Sequence, residues 1–128
     1  MAPQIDKKLL EKAVSLHGHL GPFLVLGLKM SLQAEKSLNK KLEKCILETV
    51  NRKPYLCVVD GVKAVFGDAT VDVCESDGLA AIFKGVDGGE VLIRVKRSLV
   101  EKCAGVPWEK CEEYAKEVME NDDRQLFE

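Results

Sequence analysis

Apolar and polar positions along this chain follow two rhythms, one helical and one alternating. Over residues 6–16, Leu9, Leu10, Ala13 and Val14 recur at three- and four-residue intervals, the stripe of an amphipathic helix, and Asp6 is a suitable N-cap. His17, Gly18 and His19 then interrupt the stripe. Pro22 suits the first turn of a second helix, where its missing N–H would be unpaired anyway, and the pattern carries that helix to about residue 38. Its opening, Phe23, Leu24, Val25 and Leu26, is apolar all round and is therefore expected in the core.

Further along, residues 45–50 read as a strand and 51–54 as a turn. Residues 55–66 are ambiguous between strand and helix; Gly67 fits a helix C-cap and favours a helix starting near Cys57. Residues 71–74 make a short strand. Residues 79–84 and 90–95 are strands joined by a glycine-rich hairpin signal at 85–89. Ser98 and Glu101 form a capping box opening a short helix through Cys103. Pro107 starts a last helix to about residue 120, with Glu109 in its favourable first turn. Residues 121–128 read as a frayed tail, with docking of Leu126 and Phe127 on a partner as the alternative. Strands in the middle and helices at both ends predict an α+β fold, one domain over residues 1–128, with a mixed or antiparallel sheet packed against helices.

Composition narrows the class. A chain of 128 residues with 46% hydrophobic and 31% charged residues can bury a core, which argues against disorder. The net charge of -2 gives no footprint for nucleic acid. The one basic stretch, residues 39–44, contains Glu43 and reads as a solvated helix end. The opening residues lack a signal-peptide pattern, and the longest apolar run, 23–28, is far too short to span a bilayer, so a cytoplasmic location without membrane contact is expected. Five cysteines, an odd number with no C-x-x-C pair, argue against a disulfide framework or a zinc ribbon.

Chemistry concentrates at two places. His17 and His19 are the only histidines. On a helix, side chains two positions apart point nearly opposite ways; in a segment bent at Gly18 both rings can reach one point. That segment precedes a helix N-terminus, whose N–H groups favour an anionic ligand. Ordinary polar residues at a helix break are the equal alternative. Cys57 and Asp60 come second: if helical, they lie three apart on one face, at a helix start that favours a thiolate. The bland reading of Cys57 is a core thiol. Gly67 and Asp68 alone read as a capped turn. Cys45, Cys74, Cys103 and Cys111 read as small core fillers, and Phe66 and Trp108 as packing residues.

His17, Gly18, His19 and Pro22, with Gly27 and Lys29, followed by Cys57, Asp60 and Gly61 and then Gly67 and Thr70, resemble the FmdE family, the formylmethanofuran dehydrogenase component of that name. The likeness runs from about residue 9 to about residue 95. It implies an α+β fold with a mixed sheet, a homodimer, and a bound divalent metal, most often zinc. His17, His19 and Cys57 fall on family motif positions, with Asp60 close by. Two nitrogens and one sulfur suit zinc and leave a position open for water or a small-molecule ligand. The departures are specific. Gly21 stands where the family commonly has a cysteine, Phe23 where it has glycine, and Asp68 where it has another cysteine; the glycine-lysine-glycine-asparagine run expected after Thr70 is absent. Asp68 in place of a thiolate would shift the preference towards a harder ion.

Three functions follow as expectations. The first is a small metal-binding protein of one-carbon or redox metabolism. The second is an accessory or interaction subunit whose metal site is vestigial. The third is a thiol enzyme with Cys57 as nucleophile and a histidine as base. The first is preferred.

Overall fold

The computed structural model describes residues 7–18, 20–38, 42–51, 55–67, 70–86, 88–121 and 126–127, without the side chains of His17 and Trp108. The elements are α1 (Lys7–His17), α2 (Pro22–Leu38), β1 (Leu42–Thr49), α3 (Cys57–Val65), β2 (Thr70–Glu75), β3 (Leu79–Gly85), β4 (Glu90–Arg94), α4 (Arg97–Ala104), a 3-10 turn (Trp108–Lys110) and α5 (Cys111–Glu120). The strands form one sheet in the order β2-β1-β3-β4. β1 runs parallel to β2 and antiparallel to β3, and β3 antiparallel to β4, so the sheet is mixed and the fold is α+β.

The parallel pair needs a crossover, and α3 supplies it. It leaves the C-terminal end of β1, runs back across the sheet and delivers the chain to the start of β2, where Thr70 lies opposite Lys44. The antiparallel pair β3–β4 needs only a turn. Gly88, at φ +91, takes a conformation that side-chain-bearing residues resist, and Gly85 N–H donates to the Gly89 carbonyl at 2.7 Å.

Strand alternation sorts the sheet into two faces. Cys45 and Leu47 of β1, Leu79, Ala81 and Phe83 of β3, and Ile93 of β4 point inward and join the main core with Phe23, Val25, Leu26 and Met30 of α2. α2 is the central helix: Pro22 through Ser31 are all buried, as the apolar opening predicted. Phe66 stacks at 6.2 Å from Phe83, a packing residue as expected. Lys29, 5% exposed, sends Nζ to the Asn121 carbonyl at 2.9 Å, placing its charge at the C-terminal end of α5, where the helix dipole favours a cation.

Several expectations need correction. Residues 121–128 are not a loose tail throughout: Leu126 is fully buried in the core, its carbonyl accepts Lys96 N–H at 2.9 Å, and Phe127 bridges Val95. A buried leucine outweighs the polar run before it. Ser98 does not cap α4. The helix begins at Arg97, with Lys96 at the N-cap and no side-chain cap bond. Arg97 instead holds Asp77 at 2.8 Å, and this pairing lowers the Asp77 pKa. Pro107 opens a 3-10 turn before α5 rather than α5 itself. Lys44 sits within β1, paired with Asp72 at 3.1 Å, not at a helix end. Among the cysteines, Cys45 and Cys103 are core fillers, Cys74 is exposed and Cys111 half-buried. Asp6, and Asp68 discussed below, lie outside the described residues.

Two predictions follow from the core. Leu126→Ala should lower unfolding stability by about 2–4 kcal/mol, read from denaturant midpoints, whereas a frayed residue would cost almost nothing. Burial pushes the Cys45 and Cys103 thiols up to about 12. Both stay protonated in the fold while an unfolded chain ionises near 9, so their contribution is intact below pH 9 and is lost as pH climbs towards 12. Denaturation midpoints across roughly pH 8 to 11 should fall, and Cys45→Ala with Cys103→Ala should flatten that fall.

Candidate functional site

Three helix ends carry the residues singled out from the sequence. α1 ends at His17; Gly18 N–H closes its last turn on the Val14 carbonyl at 2.7 Å. Gly18 then takes φ +105, with open space where a Cβ would stand, so the demand for glycine here is purely conformational. The expected bend between the two histidines is present. Four residues on, Pro22 opens α2, and Gly21 and Pro22 are buried.

α3 begins at Cys57, as the glycine at its far end implied. Val58, Gly61, Val62 and Ala64 are its buried positions; Cys57 and Asp60 are half-buried beside them. Cys57, Asp60 and Gly61 therefore lie on adjoining positions of the first turn and a half, the same-face relation that the three-residue spacing required. Asp60 in the first turn also suits the positive end of the helix dipole.

What sets α3 against α2 is a pair of glycines. A Cβ on Gly27 would strike the Val58 carbonyl oxygen and come within 3.1 Å of the Gly61 Cα. One on Gly61 would strike the Leu24 carbonyl oxygen and come within 2.8 Å of the Leu28 backbone nitrogen. The helices thus touch backbone to backbone. One turn or so towards both N-termini, the rings of Phe23 and Tyr55 meet at 5.1 Å. The starts of α2 and α3 therefore lie at the same end of the pair. α1 completes the group: Ala13 packs with Leu24, Leu28 and Ala64 in a second core cluster, with Leu20 against it.

The loop into α3 has its own tether. Asn51 N–H donates to the Glu75 carboxylate, Oε2, at 2.6 Å, joining the chain after β1 to the last residue of β2. Cys57 thus stands at the C-terminal end of β1 within a strand–helix–strand unit, the end at which parallel sheets present ligand-binding loops.

The five candidate ligands are placed unequally. Cys57 and Asp60 lie three residues apart in the opening turn of α3, both half-buried. His17 is placed by its backbone alone, and His19 and Asp68 lie outside the described residues. The described neighbours of Asp68, Gly67 and Thr70, sit at the far end of α3. A nine-residue helix, about 12 Å long, separates that end from Cys57. Among the described residues no three histidine, cysteine or acidic side chains cluster as a metal site, and no helix is long and apolar enough to cross a membrane.

Sequence reasoning passed over Glu75, Tyr55 and the contact role of Gly27 and Gly61. The glycines had a signal, since each sits in a helical stretch where glycine is costly without a close neighbour. Glu75 had none.

A helix broken at Gly18, a glycine-closed helix crossing and a cysteine–aspartate helix start on a mixed sheet define a small α+β protein of a recognisable class. The model of one family, described as FmdE, molybdenum formylmethanofuran dehydrogenase operon, matches residues 16–128, and the chain belongs to the FmdE family. No curated protein matches it.

Gly61→Ala should drive α3 off α2 and lower stability by about 1–3 kcal/mol, with the Tyr55 near-ultraviolet signal changing in the folded state. Gly67→Ala, with no contact closer than 3.8 Å, should be far milder.

Proposed function

We propose that this FmdE-family protein is a small metal-binding protein that holds a divalent ion with His17, His19 and Cys57, and that it serves one-carbon or related redox metabolism in the cytoplasm. The supporting observation is the convergence of helix ends: the starts of α2 and α3 lie together across the Gly27–Gly61 contact, and His17 ends α1 only five residues before Pro22.

The donor set fits zinc: two imidazole nitrogens and a thiolate are borderline-to-soft ligands. Bound by three protein donors, the ion would supply an open position that polarises water or a small anionic ligand. The protein's own part is positional. Gly18 turns the backbone between the two histidines, and the glycine crossing fixes where Cys57 stands. Asp60, one helical turn from Cys57, would orient a donor or serve as a further ligand. Asp68, a further candidate ligand, lies outside the described residues.

A second reading is an accessory subunit with a vestigial site, favoured by Gly21 and Phe23 standing at family cysteine and glycine positions. Metal analysis of untagged protein separates the two. The metal reading expects about one ion per chain, with affinity falling about a hundredfold or more in His19→Ala and in Cys57→Ser. No stoichiometric ion, or an affinity unchanged in His19→Ala, would leave the accessory role standing.

A further inference from the structure

The main core lies against one face of the sheet. On the other face, the pairing register sets side chains in rows across the strands. Ile46, Ile82 and Leu92 form an apolar row, and Glu48, Ala80 and Arg94 form the next, nearer the C-terminal end of β1. Neighbouring strands lie about 4.8 Å apart, so Glu48 and Arg94 rise from backbones about 10 Å from each other, with only the Ala80 methyl between them. That small residue is the floor of a trough. The turn from β2 to β3 and the start of α4 close its end, giving a cavity of about 250 Å³ lined by Glu48, Ala80 and Arg94 together with Ser76, Asp77 and Arg97.

Four charged groups meet there, two of each sign. Asp77 and Arg97 hold each other at 2.8 Å. Among the described residues, neither Glu48 nor Arg94 has an ion-pair partner. The start of α4, which no side chain caps, adds the positive end of a helix dipole beside Arg97.

We propose that this trough binds a small zwitterion of the α-amino-acid type, its carboxylate on Arg94 and its ammonium on Glu48.

Charge selects the ligand. A simple anion drawn to Arg94 would share the cavity with the Glu48 and Asp77 carboxylates, and a simple cation would share it with two guanidiniums. A molecule carrying both charges satisfies the two unpaired groups at once, and its carboxylate can take the forked contact that a guanidinium offers. Asp77 and Arg97, already neutral as a pair, form the end wall.

Size sets a second limit. Sites for drug-sized ligands run from roughly 300 to 1,000 Å³, so this cavity admits only a small metabolite. Arg94 is exposed, and water and salt screen its charge, so binding is weak, in the millimolar range. The trough lies on the sheet face opposite the core that α3 joins. Nothing in it depends on a bound metal, and its failure would leave the metal reading untouched.

Amide-resolved NMR titrations of the isotope-labelled full chain with the common L-α-amino acids, one at a time at neutral pH, test it. At least one should shift the resonances of Ser76, Asp77, Arg94 and Arg97 and saturate. For the tightest of them, the acid lacking its ammonium and the amine lacking its carboxylate should each bind at least tenfold more weakly. Arg94→Gln and Glu48→Gln preserve the walls and remove one charge each; both should weaken that amino acid at least tenfold. Ala80→Leu, which fills the floor, should abolish saturation. Thermal unfolding of each variant establishes that it is folded. Overturning results are equally definite: no amino acid that saturates these resonances, single-charge analogues that bind as well as the parent, or an affinity indifferent to both glutamine substitutions.

Discussion

The structure turns on the contact between Gly27 and Gly61. Two helices whose backbones touch have almost no freedom to slide or rotate against each other, because each glycine Cα sits where a larger residue would displace the other helix. The contact therefore acts as a datum. α2 takes its place over the sheet from its buried apolar run, α3 takes its place from α2, and the thiol of Cys57 and the carboxylate of Asp60 inherit a fixed position. Elsewhere the core is ordinary side-chain packing, which tolerates small volume changes; here backbone meets backbone and there is nothing to repack.

The second organising fact is that all the helical burial falls on one side of the sheet. β1, with a neighbour on either side and Cys45 and Leu47 turned inward, is the strand around which both core and sheet assemble. Placing the helices on one face leaves the opposite face to be handled by composition. It carries charges on either side of a narrow apolar row, a pattern that water tolerates.

Much of the fold was legible because periodicity and breakers agreed. Pro22 and the apolar run after it marked α2 from its first residue to its last, and the glycines at 85–89 marked the hairpin. The ambiguous stretch at 55–66 resolved as helix on the strength of Gly67 alone. Failures came where a long-range partner overruled a local signal. Ser98 had the right neighbour for a capping box, but the chain enters α4 two residues earlier, with Lys96 at the N-cap and Arg97 drawn to Asp77. Leu126 looked like part of a polar tail because nothing nearby in sequence announces the apolar site that receives it. Cys74 looked buried because cysteine usually is, yet strand alternation at the sheet edge turns it outward. At the site, the relation of Cys57 to Asp60 was readable from spacing. The closeness of their helix to α2 was not, since it arises from two glycines far apart in the chain, at positions 27 and 61.

The bond from Lys29 to the Asn121 carbonyl spans 92 residues of chain. Closing so long a segment carries a loop-closure cost that the shorter-range hairpin and crossover do not. Seating α5 against α2 is therefore tied to burying the Lys29 ammonium at 5% exposure, so a dehydrated charge and its hydrogen bond help to register two helices in an otherwise apolar core.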